Sequence, residues 1–173
     1  MLEGLETKSF ETKKHIQQMQ DIALKIAQDV ALSNIELDRL KKLIKLHDIG
    51  KVNISKDILT KKEPLTEKEW DIIKKHPELG YRIARATEEF SHLAEDILAH
   101  HERWDAKGYP RRLKGEEIPL LARITAIADA YEVMSSGRPY KNPMSHEEII
   151  EEFNRCRGTQ FDPELVDLFM KVI

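Results

Sequence analysis

The residues of this sequence best suited to chemistry are imidazoles and carboxylates spread along its length: Glu11, His15, His47, Asp48, His76, His100, His101 and Asp129. Each has an ordinary reading when taken alone. An inward-facing histidine is often a hydrogen-bonded core residue, and a glutamate in a first helical turn often answers the helix dipole. Together they offer five imidazoles and two or three carboxylates, without a thiolate. That donor set is sufficient for two metal centres, or three if Glu11 joins. Mixed nitrogen and oxygen ligation suits iron, manganese, cobalt, nickel or zinc, and not the cysteine-rich closed set of a structural zinc site. Paired metals about 3.5–4 Å apart are a general solution for splitting phosphate esters. A carboxylate has to bridge them, and Asp48 is the natural bridge.

Elements able to gather these residues are legible in the sequence. Glu11 and His15 stand four apart and so share one helical face. The same helix carries a stripe of Ile16, Met19, Ala23, Ile26 and Val30. Ser33 to Glu36 reads as a capping box that opens a second helix, which ends near His47-Asp48-Ile49-Gly50 with Gly50 as its stop. An irregular stretch follows from Lys51 to Leu65. Thr66 to Glu69 caps a short helix, and His76-Pro77 marks a break and restart. A further helix runs from about Ser91 into His100-His101. Trp104 to Pro119, with two glycines and two prolines, is a loop. Leu120 to Met134 is an apolar helix with Asp129 on a buried face, where a carboxylate needs a partner or a metal. Ser145 to Glu148 caps the next helix, Gly158 ends it, and Asp162-Pro163 opens the last. No stretch alternates at period two, so the fold class is all-α. His92 and His146 have no such company and stay outside the set.

Bulk properties narrow the function classes. The chain has 173 residues, 40% hydrophobic and 34% charged, which fits a single domain spanning 1–173. A net charge of -3 speaks against a nucleic-acid polymer as partner. Cys156 is the one cysteine, so no internal disulfide can form and a reducing compartment is expected. No signal peptide or membrane span is visible, and the expected location is cytoplasmic.

The stretches HDIGK (47–51), HPELG (76–80), HHERWDAKGYP (100–110), ARITAIADAYEVM (122–134), SGRPYK (136–141) and GTQFDP (158–163) resemble the HD-GYP family of bacterial phosphodiesterases, a branch of the HD superfamily. The resemblance implies an HD-domain helical bundle with an irregular GYP loop. It implies one metal site from His15, His47, Asp48 and Asp129, and a second from Asp48, His76, His100 and His101, with Asp48 bridging. Glu11 matches a glutamate that supports a third metal in some members. Lys51 matches a lysine near the scissile phosphate, and Arg138 and Lys141 match cations that contact ligand phosphates. The implied cofactors are two or three divalent transition-metal ions, iron or manganese foremost. The implied reaction is hydrolysis of cyclic di-GMP to pGpG, and in some members on to GMP, by a hydroxide held between the metals, with catalysis assigned to Asp48 and Lys51. The GYP loop is further expected to engage diguanylate cyclase domains. The alternative is an inactive module that binds a cyclic dinucleotide or a cyclase. Two positions depart from the family pattern. Ala106 stands where a glycine is usual, which is costly if φ is positive there, and Glu132 replaces a common aspartate.

Overall fold

A computed structural model of the chain describes residues 13–137 and 142–173. The helices are α1 (Lys13–Asp29), α2 (Asn34–Leu46), α3 (Lys56–Leu59), α4 (Glu67–Ile73), α5 (His76–Arg85), α6 (Ala94–Ala99), α7 (Leu120–Ser136), α8 (His146–Cys156) and α9 (Pro163–Phe169). Short 3₁₀ turns lie at Ile49–Asn53, Glu88–Leu93 and Gly115–Glu117. Among the described residues there is no strand, only isolated bridges between Asp105 and Lys114 and between Arg157 and Phe161. No described helix is long and apolar enough to cross a membrane.

Local sequence explains where the helices start. Ser33, Thr66 and Ser145 each accept the N3 amide, and Glu36, Glu69 and Glu148 reach back to the cap. Asp162 accepts from the amides of Glu164 and Leu165 ahead of Pro163. A cap contributes about 1 kcal/mol, whereas burying one large apolar side chain contributes about 1.5–3 kcal/mol. Packing therefore holds the bundle, and the caps set its phase. Met19, Ala23 and Ile26 of α1 join Ile124, Ile127 and Ala128 of α7 in one buried cluster, which also takes Leu40, Leu43 and Ile44 of α2 and Phe153 and Phe169 of α8 and α9. The first helix is rotated slightly from the expected stripe. Ile22 and Ala27 are buried, while Ile16 and Val30 are only half-buried.

Three expectations need correction. The stretch from Lys51 to Leu65 is not irregular throughout, because Ser55 caps the short α3 within it. The approach to His100 is not one helix from Ser91, because a 3₁₀ turn over Glu88–Leu93 precedes the short α6. Gly50 is not a helix stop. Helix α2 ends at Leu46 with His47 as a right-handed C-cap, and Gly50 lies inside the following 3₁₀ turn without a positive φ. Its role is close approach. A Cβ there would run into the His76 carbonyl oxygen and come within 2.6 Å of the Gly80 nitrogen. The 3₁₀ turn is thus pressed main chain to main chain against α5, which brings Asp48 beside His76. Gly50→Ala is expected to cost about 1–3 kcal/mol, the scale of overpacking, and to lower the urea midpoint at unchanged slope.

Candidate metal centre

The candidate ligands stand where helices run out. The last four carbonyls of a helix have no partner within it, and three histidines use this in the same way. His47 Nδ1 bonds the Ile44 oxygen at 2.9 Å, beside the end of α2. His76 Nδ1 bonds the Ile73 oxygen at 2.8 Å, at the end of α4. His100 Nδ1 bonds the Ile97 oxygen at 2.6 Å, at the end of α6. A carbonyl can only accept, so each Nδ1 carries the proton and each Nε2 keeps its lone pair. Such an outer partner is what orients a metal-binding imidazole.

Two groups of ligand atoms result, each with its atoms within 4.8 Å of one another: Asp48, His76, His100 and His101 in one, and His15, His47 and Asp129 in the other. Asp48 lies between them. Its Oδ1 is 3.0 Å from His76 Nε2 and 3.9 Å from His100 Nε2, while its Oδ2 is 3.6 Å from His47 Nε2 and pairs with the Lys51 ammonium. The rings of His47 and His100 meet edge to face at 5.2 Å, closing the gap between the groups.

The residues fit divalent cations on their own chemistry. His76 and His100 bring their Nε2 atoms to 3.1 Å with no proton to share. Asp48 Oδ1 is buried without a hydrogen bond. Lone pairs held this close repel unless a cation lies among them. Electrostatics keep the ligands in binding form. Burial pushes the Asp48 carboxyl up, but the Lys51 ammonium beside it leads the interactions that hold the group well below the usual carboxylate range. Burial, then the neighbouring imidazoles, holds His100 well below its ordinary value. The same causes bring His101 down to about 3.

Of the sequence candidates, His15, His47, Asp48, His76, His100, His101 and Asp129 come together, and Lys51 joins them at Asp48. Asp129 and His101 are half-buried rather than enclosed. Glu11, Arg138 and Lys141 lie outside the described residues. His92 and His146 are exposed, as their exclusion requires.

Three further residues shape the site. The buried Glu132 accepts from His15 Nδ1 and so turns the other ring nitrogen toward the ligand group. Its spacing of three from Asp129 on α7 was the available signal. Glu102, next to the histidine pair, is buried and takes the amides of Arg111, Arg112 and Leu113 at 2.6, 3.1 and 3.1 Å. Its carboxylate thereby folds the loop back over the site, and nothing in the sequence announces it. Tyr109, on that loop, lies over His101 with ring centroids 5.0 Å apart. Loop and C-terminal region are also joined: Asp105 N donates to the Thr159 oxygen, and Arg103 to the Gln160 side chain. Ala106 adopts φ +61°, so the departure from glycine does carry left-handed strain, roughly 1–2 kcal/mol.

The sequence matches the HD domain family over residues 3–165, and the chain belongs to that family. Its curated relatives agree with the HD-GYP resemblance. A 3'3'-cGAMP-specific phosphodiesterase 2 of Vibrio cholerae is 40% identical over 170 residues, covering 97% of this chain and 33% of the relative. A cyclic di-GMP phosphodiesterase of Thermotoga maritima is 39% identical over 169 residues, covering 96% of this chain and 46% of the relative. The chain thus spans between a third and half of the length of these relatives. In fold it is similar to a cyclic GMP-AMP specific phosphodiesterase of V. cholerae, with a TM-score of 0.70 at 23% identity over 99% of this chain and 46% of that one. It is likewise similar to an HDG"Y"P protein of Bdellovibrio bacteriovorus, with a TM-score of 0.73 at 16% identity over 91% and 51%.

Two outcomes follow from this geometry. Glu132→Gln should weaken metal binding by about 10–100-fold, the usual effect of losing an outer partner, read by calorimetric titration with Mn²⁺. Acid should destabilise the metal-free protein. A depressed histidine pKa means that the unfolded chain binds more protons, so the contribution of His101 is complete above about pH 6.5 and is lost as pH falls toward about 3. Urea unfolding across that range should show a falling midpoint.

Proposed function

We propose that this chain is a metal-dependent phosphodiesterase that opens a cyclic dinucleotide, cyclic di-GMP in the first place, to pGpG and then GMP. The observation that carries the reading is the Asp48 carboxylate, one oxygen facing each of two buried ligand groups. Relatives named for cyclic di-GMP and for 3'3'-cGAMP support a cyclic dinucleotide as the substrate class. Two ions, with a third at Glu11, are the cofactors of this reading, and a thiolate-free nitrogen and oxygen set favours iron or manganese. Bound ions would supply Lewis acidity toward a phosphoryl oxygen and lower the pKa of water.

The remaining work falls to the chain itself. His15, His47 and Asp129 on one side, and His76, His100 and His101 on the other, hold fixed geometry, with Asp48 common to both. Lys51, already drawn to Asp48, offers its ammonium to the scissile phosphate and steadies charge on the departing oxygen. Only one of the substrate's two phosphates can sit at the metals. Arg138 and Lys141 take the other, a task suited to the planar fork of arginine. Residues 1–173 form one catalytic unit in this reading, cytoplasmic, with the GYP loop as the face that meets diguanylate cyclase domains.

Protein purified without oxygen and loaded with Fe²⁺ or Mn²⁺ should convert cyclic di-GMP to pGpG, followed by chromatography. Asp48→Ala should lose both ions by elemental analysis, and all turnover. Arg138→Ala should weaken cyclic di-GMP binding by about 1.5–3 kcal/mol while sparing bis(p-nitrophenyl) phosphate hydrolysis. Metal-loaded protein that binds cyclic di-GMP without cleaving it would replace the enzyme reading with a sensor.

A further inference from the structure

One buried carboxylate has no place in either ligand group. Asp96 of α6 is 1% exposed. Arg39 of α2 donates to its Oδ2 twice, from Nε at 2.9 Å and from Nη2 at 2.5 Å. Stability does not account for this pair. Burial pushes the Asp96 carboxyl above its ordinary value, although the Arg39 guanidinium pulls the other way. The carboxylate thus loses more on entering the fold than its partner returns. Apolar side chains of similar bulk commonly replace a buried ion pair without loss. The dipole of α6 does not require Asp96 either, because the exposed Glu95 already stands in the same first turn. What a charged contact adds over an apolar one is direction.

Direction matters because of what the two helices carry. His47 caps the end of α2, and His100 caps the end of α6. Their imidazoles belong to different ligand groups and meet edge to face at 5.2 Å. Asp96 stands about one helical turn before His100, and Arg39 just over two turns before His47. Helix α6 has only six residues, and no side chain caps its start. Its other buried residues, Ala94, Ile97, Leu98 and Ala99, are apolar, and apolar contacts are non-directional. Such a helix could slide or turn slightly at little cost. A two-point grip on one Asp96 oxygen opposes both motions.

We infer that the Arg39–Asp96 pair is a positioning device that fixes the register of α6 against α2, and with it the separation of the two ligand groups. The inference rests on the two-ion reading above. Both residues act through His47 and His100.

Arg39→Met together with Asp96→Leu keeps the bulk of the pair and removes the grip. The metal-free urea midpoint should stay at or above that of the parent. Calorimetric titration with Mn²⁺ should show at least one ion bound roughly 10-fold more weakly, the scale of losing an outer support. The electron paramagnetic resonance spectrum should lose the exchange-coupled signal of a Mn²⁺ pair, which depends on the spacing of the ions. Parent affinities with a parent spectrum overturn the inference and leave the two-ion reading intact. Weaker binding with a lowered metal-free midpoint overturns it in favour of general support for the fold. Should the double variant not fold, Arg39→Lys keeps the charge without the two-point grip. Weaker Mn²⁺ binding at the parent's midpoint then upholds the inference, and parent affinities overturn it. A parent chain without a coupled pair of Mn²⁺ ions overturns the two-ion reading itself, and this inference with it.

Discussion

Two imidazole nitrogens 3.1 Å apart, both with their lone pairs facing inward, are an unfavourable arrangement that the rest of this structure enforces. The usual relief would be a shared proton. It is not open to His76 and His100, because each has already committed its one proton to a main-chain carbonyl. A second proton would have to be buried as charge, and the depressed pKa of His100 expresses the cost. Asp48 adds an oxygen to the same enclosed space. A divalent cation turns this mutual repulsion into coordination. Much of the affinity for metal is therefore stored as preorganisation in the folded chain.

The bundle produces this arrangement with ordinary means. Helices α2, α4 and α6 end within reach of one another, and each offers a spare carbonyl to a histidine just past its last turn. The 3₁₀ turn after Asp48 can lie against α5 because Gly50 and Gly80 allow main chains to touch. The long α1 and α7 pack along their length and bring His15, Asp129 and Glu132 to the same end. Loop 104–119 closes the other side, drawn in by Glu102 and moored to the turn at Thr159 and Gln160.

Sequence reading reached the ligands because their signal is chemical and local: a histidine beside a helix end, an aspartate in an apolar helix, a histidine pair. The capping boxes at Ser33, Thr66 and Ser145 were equally legible, since their partners lie three residues away. What escaped depends on contacts distant along the chain. Gly50 looked like a stop because glycine usually is one, and only the proximity of His76 reveals a packing role. Glu132 departs from the family pattern in the sequence itself, yet its bond to His15 joins helices far apart along the chain. The Ala106 strain could be posed in the sequence but decided only by φ. Glu11 rests on its spacing from His15 and on the resemblance, and Arg138 and Lys141 on the resemblance; all three are outside the described residues.

The helix-end bonds of His47, His76 and His100 all run to main-chain oxygens, and in each case to the residue three earlier. Any residue supplies such an oxygen. Exchanging Ile44, Ile73 or Ile97 for another side chain of similar bulk leaves the bond in place. Inserting or deleting one residue in those last turns does not, because each step along a helix turns the chain by about 100° and would swing the imidazole out of the site. The last turns before these histidines therefore tolerate a change of side chain at the carbonyl-bearing residue but no change of length.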